Sequence, residues 1–227
     1  RREQCRENQA RYRRRQHEHL LKMETDTATL RVQGVRTQTV WGVAAEFLGL
    51  FKHGISTATV ATLGTTGYHS LEASNAQLDF LRAMMTPDVT DGSVYGIDAL
   101  LERWRLYSLY HSNLDIELER LEMGAPNTVI ATTRVSMTIT ESTLYHAFRH
   151  LFNGNASHSE RLVAKLLGQH VTMSGSVRFG WDDTCGRVHS LEHSADMLTP
   201  MLKLLGNLED VAFVFSRARI TPDDNVL

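Results

Sequence analysis

The sequence predicts an α+β protein in which a long N-terminal basic helix precedes helices packed on one face of a curved antiparallel sheet. Three observations carry this expectation. Residues 1–16 hold seven arginines against two glutamates, a net +5, whereas the 227-residue chain is −2 overall. Two stretches, 40–51 and 97–110, place apolar residues at helical spacing. Between 114 and 194, β-branched and apolar residues alternate with polar ones, the period of half-buried strands. Helical patterns followed by a run of strands define the α+β class.

The basic segment contains no Gly, Pro, Val or Ile, so nothing in it opposes a helix. On a helix, Cys5, Asn8, Gln9, Tyr12 and Arg13 fall at i, i+3, i+4, i+7 and i+8 and share one face. Arg2, Arg6, Arg11, Arg14 and Arg15 flank it. Such a helix can offer hydrogen-bonding groups to base edges in a major groove while its guanidiniums hold phosphates. The remaining residues carry −7, and that asymmetry points to an anionic partner. Heptads read onward place Leu20, Met23 and Leu30 at seam positions suited to dimerisation, but also Thr27, Gly34 and Thr37, which are not. The seam is therefore short and weak by itself. Cys5 has Arg2 and Arg6 beside it, a setting that favours the thiolate and makes it a candidate redox site.

Residues 1–30 resemble a basic-leucine-zipper (bZIP) DNA-binding region. In that family a face of Asn, two small residues, a further contact residue and an invariant Arg recurs at the offsets just given. The first zipper leucine follows ten residues after the Arg. Arg13 matches the invariant Arg and Met23 the first zipper leucine, while the signature Asn is replaced by Cys5. The run Cys-Arg-x-Asn-Gln-Ala-Arg-Tyr-Arg is similar to a variant bZIP group with cysteine at that place. The resemblance implies double-stranded DNA as partner, a homodimer or a heterodimer with another bZIP protein, and a nuclear location. A thiol is a weak hydrogen-bonding partner, so the usual half-site preference does not carry over, and Asn8 and Gln9 become the polar base readers.

The body of the chain follows in order. Val40, Ala44, Phe47, Leu48 and Phe51 form a helical face, and Lys52-His53-Gly54 reads as its stop. Residues 55–75 are rich in Ser, Thr, Gly and Ala and read as a mobile loop. Helical patterning returns at 76–85 and 97–110, with a turn-rich stretch and a short strand between them. Strands are expected around 114–118, with a slip to Leu121 and Met123 that marks a bulge, and at 128–139, 171–181 and 187–194. Residues 153–159 read as an exposed loop before a short apolar stretch, 162–167, and 197–205 and 208–215 as closing helices.

Element order and the run Gly96-Ile97-Asp98-Ala99-Leu100-Leu101-Glu102-Arg103-Trp104 resemble the nuclear transport factor two-like (SnoaL-like) fold. That resemblance implies a cone-like domain enclosing a pocket, with an open sheet face that dimerises. Candidate pocket residues are Trp104, Tyr107 and Trp181, and the implied ligand is a small apolar molecule. Some cone-fold proteins are small isomerases or hydratases that use a carboxylate with His or Tyr. Tyr95, His146, His170, His189, His193 and Asp196 join Trp104 and Tyr107 as candidates, but they form no spacing motif and catalysis is not the expectation.

Composition bounds the alternatives. No run of eighteen apolar residues spans a membrane, and no charged start leads into an apolar stretch as in a secretory signal. The chain opens on Arg1 rather than Met, as a piece of a longer protein does. Cys5 and Cys185 are far apart, which argues for a reducing compartment and against a disulfide framework or a zinc site. His17 and His19, two apart, cannot face one metal on a helix, and no glycine-rich phosphate loop occurs. No metal or cofactor is expected. The expected domains are 1–38 (basic region and short zipper helix), 39–195 (cone-like domain) and 196–227 (helical extension). The expected function is a dimeric, sequence-specific DNA-binding transcription regulator. The alternative is a cone-fold small-molecule-binding protein or small enzyme with a basic localisation tail.

Overall fold

The computed structural model describes residues 39–55, 67–152 and 156–227. Residues 39–227 form one compact unit. The expected basic and zipper helix lies outside the described residues.

Helix α1 (Val40–Leu50) starts at Thr39, whose hydroxyl accepts from the Gly42 amide, and buries Val43, Ala44, Phe47 and Leu48. It stops where expected. Gly54 takes φ +70°, and a Cβ there would lie 2.3 Å from Ser108 Oγ, which accepts from the Ile55 amide at 2.7 Å. Helix α2 (Gly67–Met84) overlaps the expected loop 55–75, so 67–75 is a correction. The physical reason is that residues 68–84 contain neither Gly nor Pro, and the helix extends N-terminally at little cost once nucleated. Buried Gln77 joins the two helices by donating to the Leu50 and Gly54 carbonyls, groups that the end of α1 leaves without helical partners.

After β1 (Met85–Thr90) comes α3 (Ile97–Tyr110), which buries Leu100, Leu101, Trp104, Tyr107 and Tyr110 on one face. Strands β2 (Ser112–Met123), β3 (Thr128–Thr138), β4 (His170–Asp182) and β5 (Arg187–Ala195) form the expected antiparallel meander. The register of β2 shifts between Leu118 and Arg120, the bulge implied by the slip in its apolar pattern. The sheet order is β1-β5-β4-β3-β2, and β1 pairs parallel to β5. The sheet is thus mixed rather than wholly antiparallel, because the α2–β1–α3 segment delivers β1 to the free edge of β5.

Val129, Ala131, Val135 and Met137 of β3 and Val171, Met173, Val177 and Phe179 of β4 face the helices. Phe47 is the hub of this layer. Its ring stacks on Phe51 at 4.4 Å and meets Trp104 and Phe179 edge-on at 5.5 and 5.6 Å. The opposite sheet face carries exposed cross-strand pairs, Arg134–Glu119 and Arg178–Glu192.

Two helices were hidden in the sequence. Helix α4 (Glu141–Ala147), capped by Thr140, has only seven residues, too few for a period to show. Helix α5 (Ala156–Leu166) replaces part of the expected loop 153–159, with Ser159, Leu162 and Leu166 buried on one face.

Helices α6 (Leu198–Leu205) and α7 (Leu208–Phe215) do not form a separate extension: α6 packs on β4 and α5, and Met201, Leu205, Val211 and Val214 are buried. The chain then returns to the body, where the Arg219 amide donates to the Ala147 carbonyl at 2.8 Å.

Phe47→Ala should lower the unfolding free energy by about 3–5 kcal/mol, the usual cost of truncating a fully buried aromatic residue. Tryptophan fluorescence in a denaturant titration reads this unit cleanly, since Trp41, Trp104 and Trp181 all lie within it. A loss below about 1 kcal/mol would contradict the hub assignment.

Candidate functional site

The most concentrated polar chemistry in the interior lies between α3, β5 and the segment 220–227. Helical spacing sets Arg103, Trp104 and Tyr107 along one side of α3, and His111 caps its C-terminal end. From β5, Leu191 and His193 point to the same place. The third wall is a tight turn closed by an Ile220–Val226 bridge, with the Thr221 amide donating to the Asn225 carbonyl at 2.9 Å. Asp224 sits on this turn at φ +60°, a left-handed conformation that Asp tolerates better than most residues.

Asp224 and His111 are both buried, and their contact is direct. The Tyr107 hydroxyl donates to Asp224 Oδ2 at 2.6 Å, and His111 Nε2 lies 2.7 Å from Oδ1. His111 Nδ1 is 2.8 Å from the Tyr107 carbonyl oxygen, which can only accept. With an acceptor at each ring nitrogen, the arrangement suits the doubly protonated imidazolium. Burial opposes that charge, but the Asp224 carboxylate and the two hydrogen bonds outweigh it and raise the His111 pKa. Burial, reinforced by Asp224, pushes the Tyr107 phenol well above its usual range.

His193 behaves oppositely: burial lowers its pKa, Asp224 resists, and the nearby His111 adds to the lowering. Its Nε2 is buried without a hydrogen-bond partner. The His193 ring stands edge-on to Tyr107 at 5.1 Å, and Trp104 lies 6.2 Å away, linking the cluster to the aromatic core.

Arg103 holds the rim. Its Nε is 3.0 Å from Asp91 Oδ2, and its guanidinium donates to the Val226 carbonyl. Asp91 is itself fixed through Oδ1 by the Ser93 and Val94 amides at 2.8 and 2.9 Å. The water-sized space between these groups is about 40 Å³, with Leu100, Trp104 and Leu191 as its apolar walls. That accommodates ordered water, whereas small-molecule sites run to roughly 300 Å³ and more.

A second concavity of about 410 Å³ is an open groove between α4 and α5, lined by Leu144, Tyr145, Phe152, Val163 and Leu167. No metal-binding group of His, Cys, Asp or Glu occurs among the described residues. No helix among them is long and apolar enough to cross a membrane.

Of the residues singled out in the sequence, Trp104, Tyr107 and His193 meet at this cavity, and Trp181 does not line it. Tyr95, His170, His189 and Asp196 are exposed, and His146 is half-buried. Asp196 accepts from the Thr199 amide at the start of α6. Cys185 is exposed with its thiol toward Asp182. Arg2, Cys5, Arg6, Asn8, Gln9, Arg11, Tyr12, Arg13, Arg14, Arg15, Leu20, Met23 and Leu30 lie outside the described residues. Sequence reasoning passed over His111, Arg103 and Asp224. Asp223-Asp224-Asn225 reads as an exposed turn, and its partner His111 is 113 residues away.

Residues 41–110, spanning α1 to α3, match the family model described as the BZIP transcription factor 1 C-terminal domain. The match takes in Arg103, Trp104 and Tyr107. No curated protein matches the chain. Solved structures with SnoaL-like or NTF2-like folds are similar at low identity. A SnoaL-like polyketide cyclase from Agrobacterium tumefaciens is 13% identical over 75% of this chain and 100% of its own, with a TM-score of 0.47. TsrD from Streptomyces laurentii is 13% identical over 74% and 98%, at 0.42. An NTF2-like protein of unknown function from Exiguobacterium sp. 255-15 is 12% identical over 68% and 98%, at 0.40.

The two histidines give stability an optimum in pH. His111, with a raised folded-state pKa, contributes stability that is complete below its unfolded pKa of about 6.5 and is lost as pH rises through the folded value. His193, with a lowered one, takes up a proton more readily unfolded, so its contribution is complete above about 6.5 and is lost as pH falls. Denaturant midpoints measured across pH 5–9 should therefore peak near the ordinary histidine pKa, and His111→Asn should flatten the alkaline side and, by removing a charge that lowers the His193 pKa, soften the acid side as well. A wild-type profile that rises steadily through pH 8 would contradict the ion-pair assignment.

Proposed function

We propose that this chain is a sequence-specific, double-stranded-DNA-binding transcription regulator that acts as a dimer in the nucleus. Residues 1–38 form its DNA-reading and zipper segment, and residues 39–227 the assembly domain. The observation that carries this reading is one of order along the chain. A stretch matching the C-terminal domain of a bZIP transcription factor follows directly after a segment with the bZIP order of face residues.

The mechanism follows from charge and spacing. The arginines of residues 1–16 displace counterions from the duplex, giving salt-dependent affinity. Asn8, Gln9 and Arg13 meet base edges or phosphates on one helical face, and two such helices fork across the major groove. The heptad seam is short, so the body is assigned the larger part in dimer stability.

Selection of the reduced full chain on a randomised duplex pool at physiological salt should enrich a nearly palindromic site. Arg13→Ala should weaken binding to that site by about 1–3 kcal/mol. Scrambling the order of residues 5–13 at constant composition should abolish enrichment. Salt-sensitive retention with no enriched sequence would instead leave only a charged tail.

Cys5 supplies a second test. Its oxidation would add bulk and polarity on the DNA-facing side, so peroxide should weaken binding by the parent and not by Cys5→Ser. Equal peroxide sensitivity in the two proteins would remove Cys5 as a switch.

A further inference from the structure

We propose that Tyr107 and His111, with His193 beside them, form a binding site for short-chain hydroxycarboxylates, and that Asp224 of segment 220–227 occupies it in cis. Donor placement points to a carboxylate site. One hydroxyl and one imidazole nitrogen, both buried, each meet a separate oxygen of the same carboxylate, at 2.6 and 2.7 Å. Two charge-assisted hydrogen bonds of this length make a strong carboxylate grip. His111 is tied at Nδ1 by the Tyr107 carbonyl, so its second nitrogen remains aimed inward and requires an anion there.

The anion that meets this requirement comes from a turn laid across the opening, not from the helices or the sheet. Besides the grip itself and the Arg103–Val226 contact, the turn is held by the Ala195 and Met197 amides, which donate to the Asp223 and Pro222 carbonyls at 3.1 Å each. Ile220 and Val226 are buried beside these contacts, so the turn leaves the site by local unfolding of segment 220–227, a step that does not require the sheet to unfold.

The space beside the carboxylate identifies the rest of the ligand. It is the cavity of about 40 Å³, walled by Leu100, Trp104 and Leu191. Among its fully buried side-chain polar atoms, His193 Nε2 has no hydrogen-bond partner. Asp224 leaves that atom unsatisfied. A short aliphatic acid with a hydroxyl would fill the apolar space, and the hydroxyl serves either tautomer of His193, as donor or as acceptor. The groups facing the bound carboxylate are Tyr107, His111 and His193, with Arg103 and Asp91 at the rim. Occupancy by a free acid would displace the turn and release Arg103 from Val226, so ligand and segment 220–227 exclude one another.

Full-length Asp224→Ala vacates the site and allows chemical rescue. Its thermal midpoint should drop. Added 3-hydroxybutyrate should then restore it saturably and at least several-fold more tightly than butyrate, and His193→Phe should erase that preference. No recovery, or recovery matched by chloride at equal ionic strength, would overturn the proposal. Should Asp224→Ala fail to fold, amide hydrogen exchange on the unmodified chain decides. Exchange across residues 220–227 should rise with 3-hydroxybutyrate and stay constant with chloride. Exchange unaffected by the acid would show the turn to be purely structural.

Discussion

A carboxylate carried into a protein interior must be paired there, or the chain holding it stays outside. Asp224 meets that condition through Tyr107 and His111, and this pairing joins parts of the chain 113 residues apart. Losing one partner would leave the other buried without its counter-charge, which typically costs about 3–5 kcal/mol. The pairing therefore makes segment 220–227 part of the folded body. Through Trp104 and Phe47, the same cluster is continuous with the aromatic layer between α1, α3 and the sheet. The raised His111 pKa and the Arg103–Val226 contact both depend on this one insertion.

The charge distribution separates the labours of the chain. The first sixteen residues carry +5 and the remainder −7. On the proposed reading, an acidic body limits indiscriminate adhesion to DNA and leaves contact to the basic segment, whose ordered face then sets specificity. On the same reading, a seam of only Leu20, Met23 and Leu30 is a weak fastener, and a body that itself dimerised would raise the effective concentration at which two seams meet.

Much of the fold was legible because its patterns are long. The face Ala44, Phe47, Leu48, Phe51, the helix over 97–110 and the alternation along β3 and β4 each extend over enough residues for the period to declare itself. The failures have the opposite character. Helix α4 is too short, α2 reaches back into a stretch whose Ser and Gly content resembles a loop, and the parallel pairing of β1 depends on which sheet edge is vacant. At the site, Trp104, Tyr107 and His193 could be nominated because aromatic and histidine residues on inward faces are conspicuous. Asp224 could not. A turn of Asp-Asp-Asn carries the chemistry of an exposed loop, and its burial is decided by tertiary contacts that no local pattern encodes.

On the proposed reading, the two parts of the chain act as one dimeric reader of DNA. The most direct test is the mass of the complex that the full chain forms with a duplex carrying its selected site, measured by sedimentation at protein excess and physiological salt. Two chains per duplex is the predicted result. A single chain on each duplex would contradict the account.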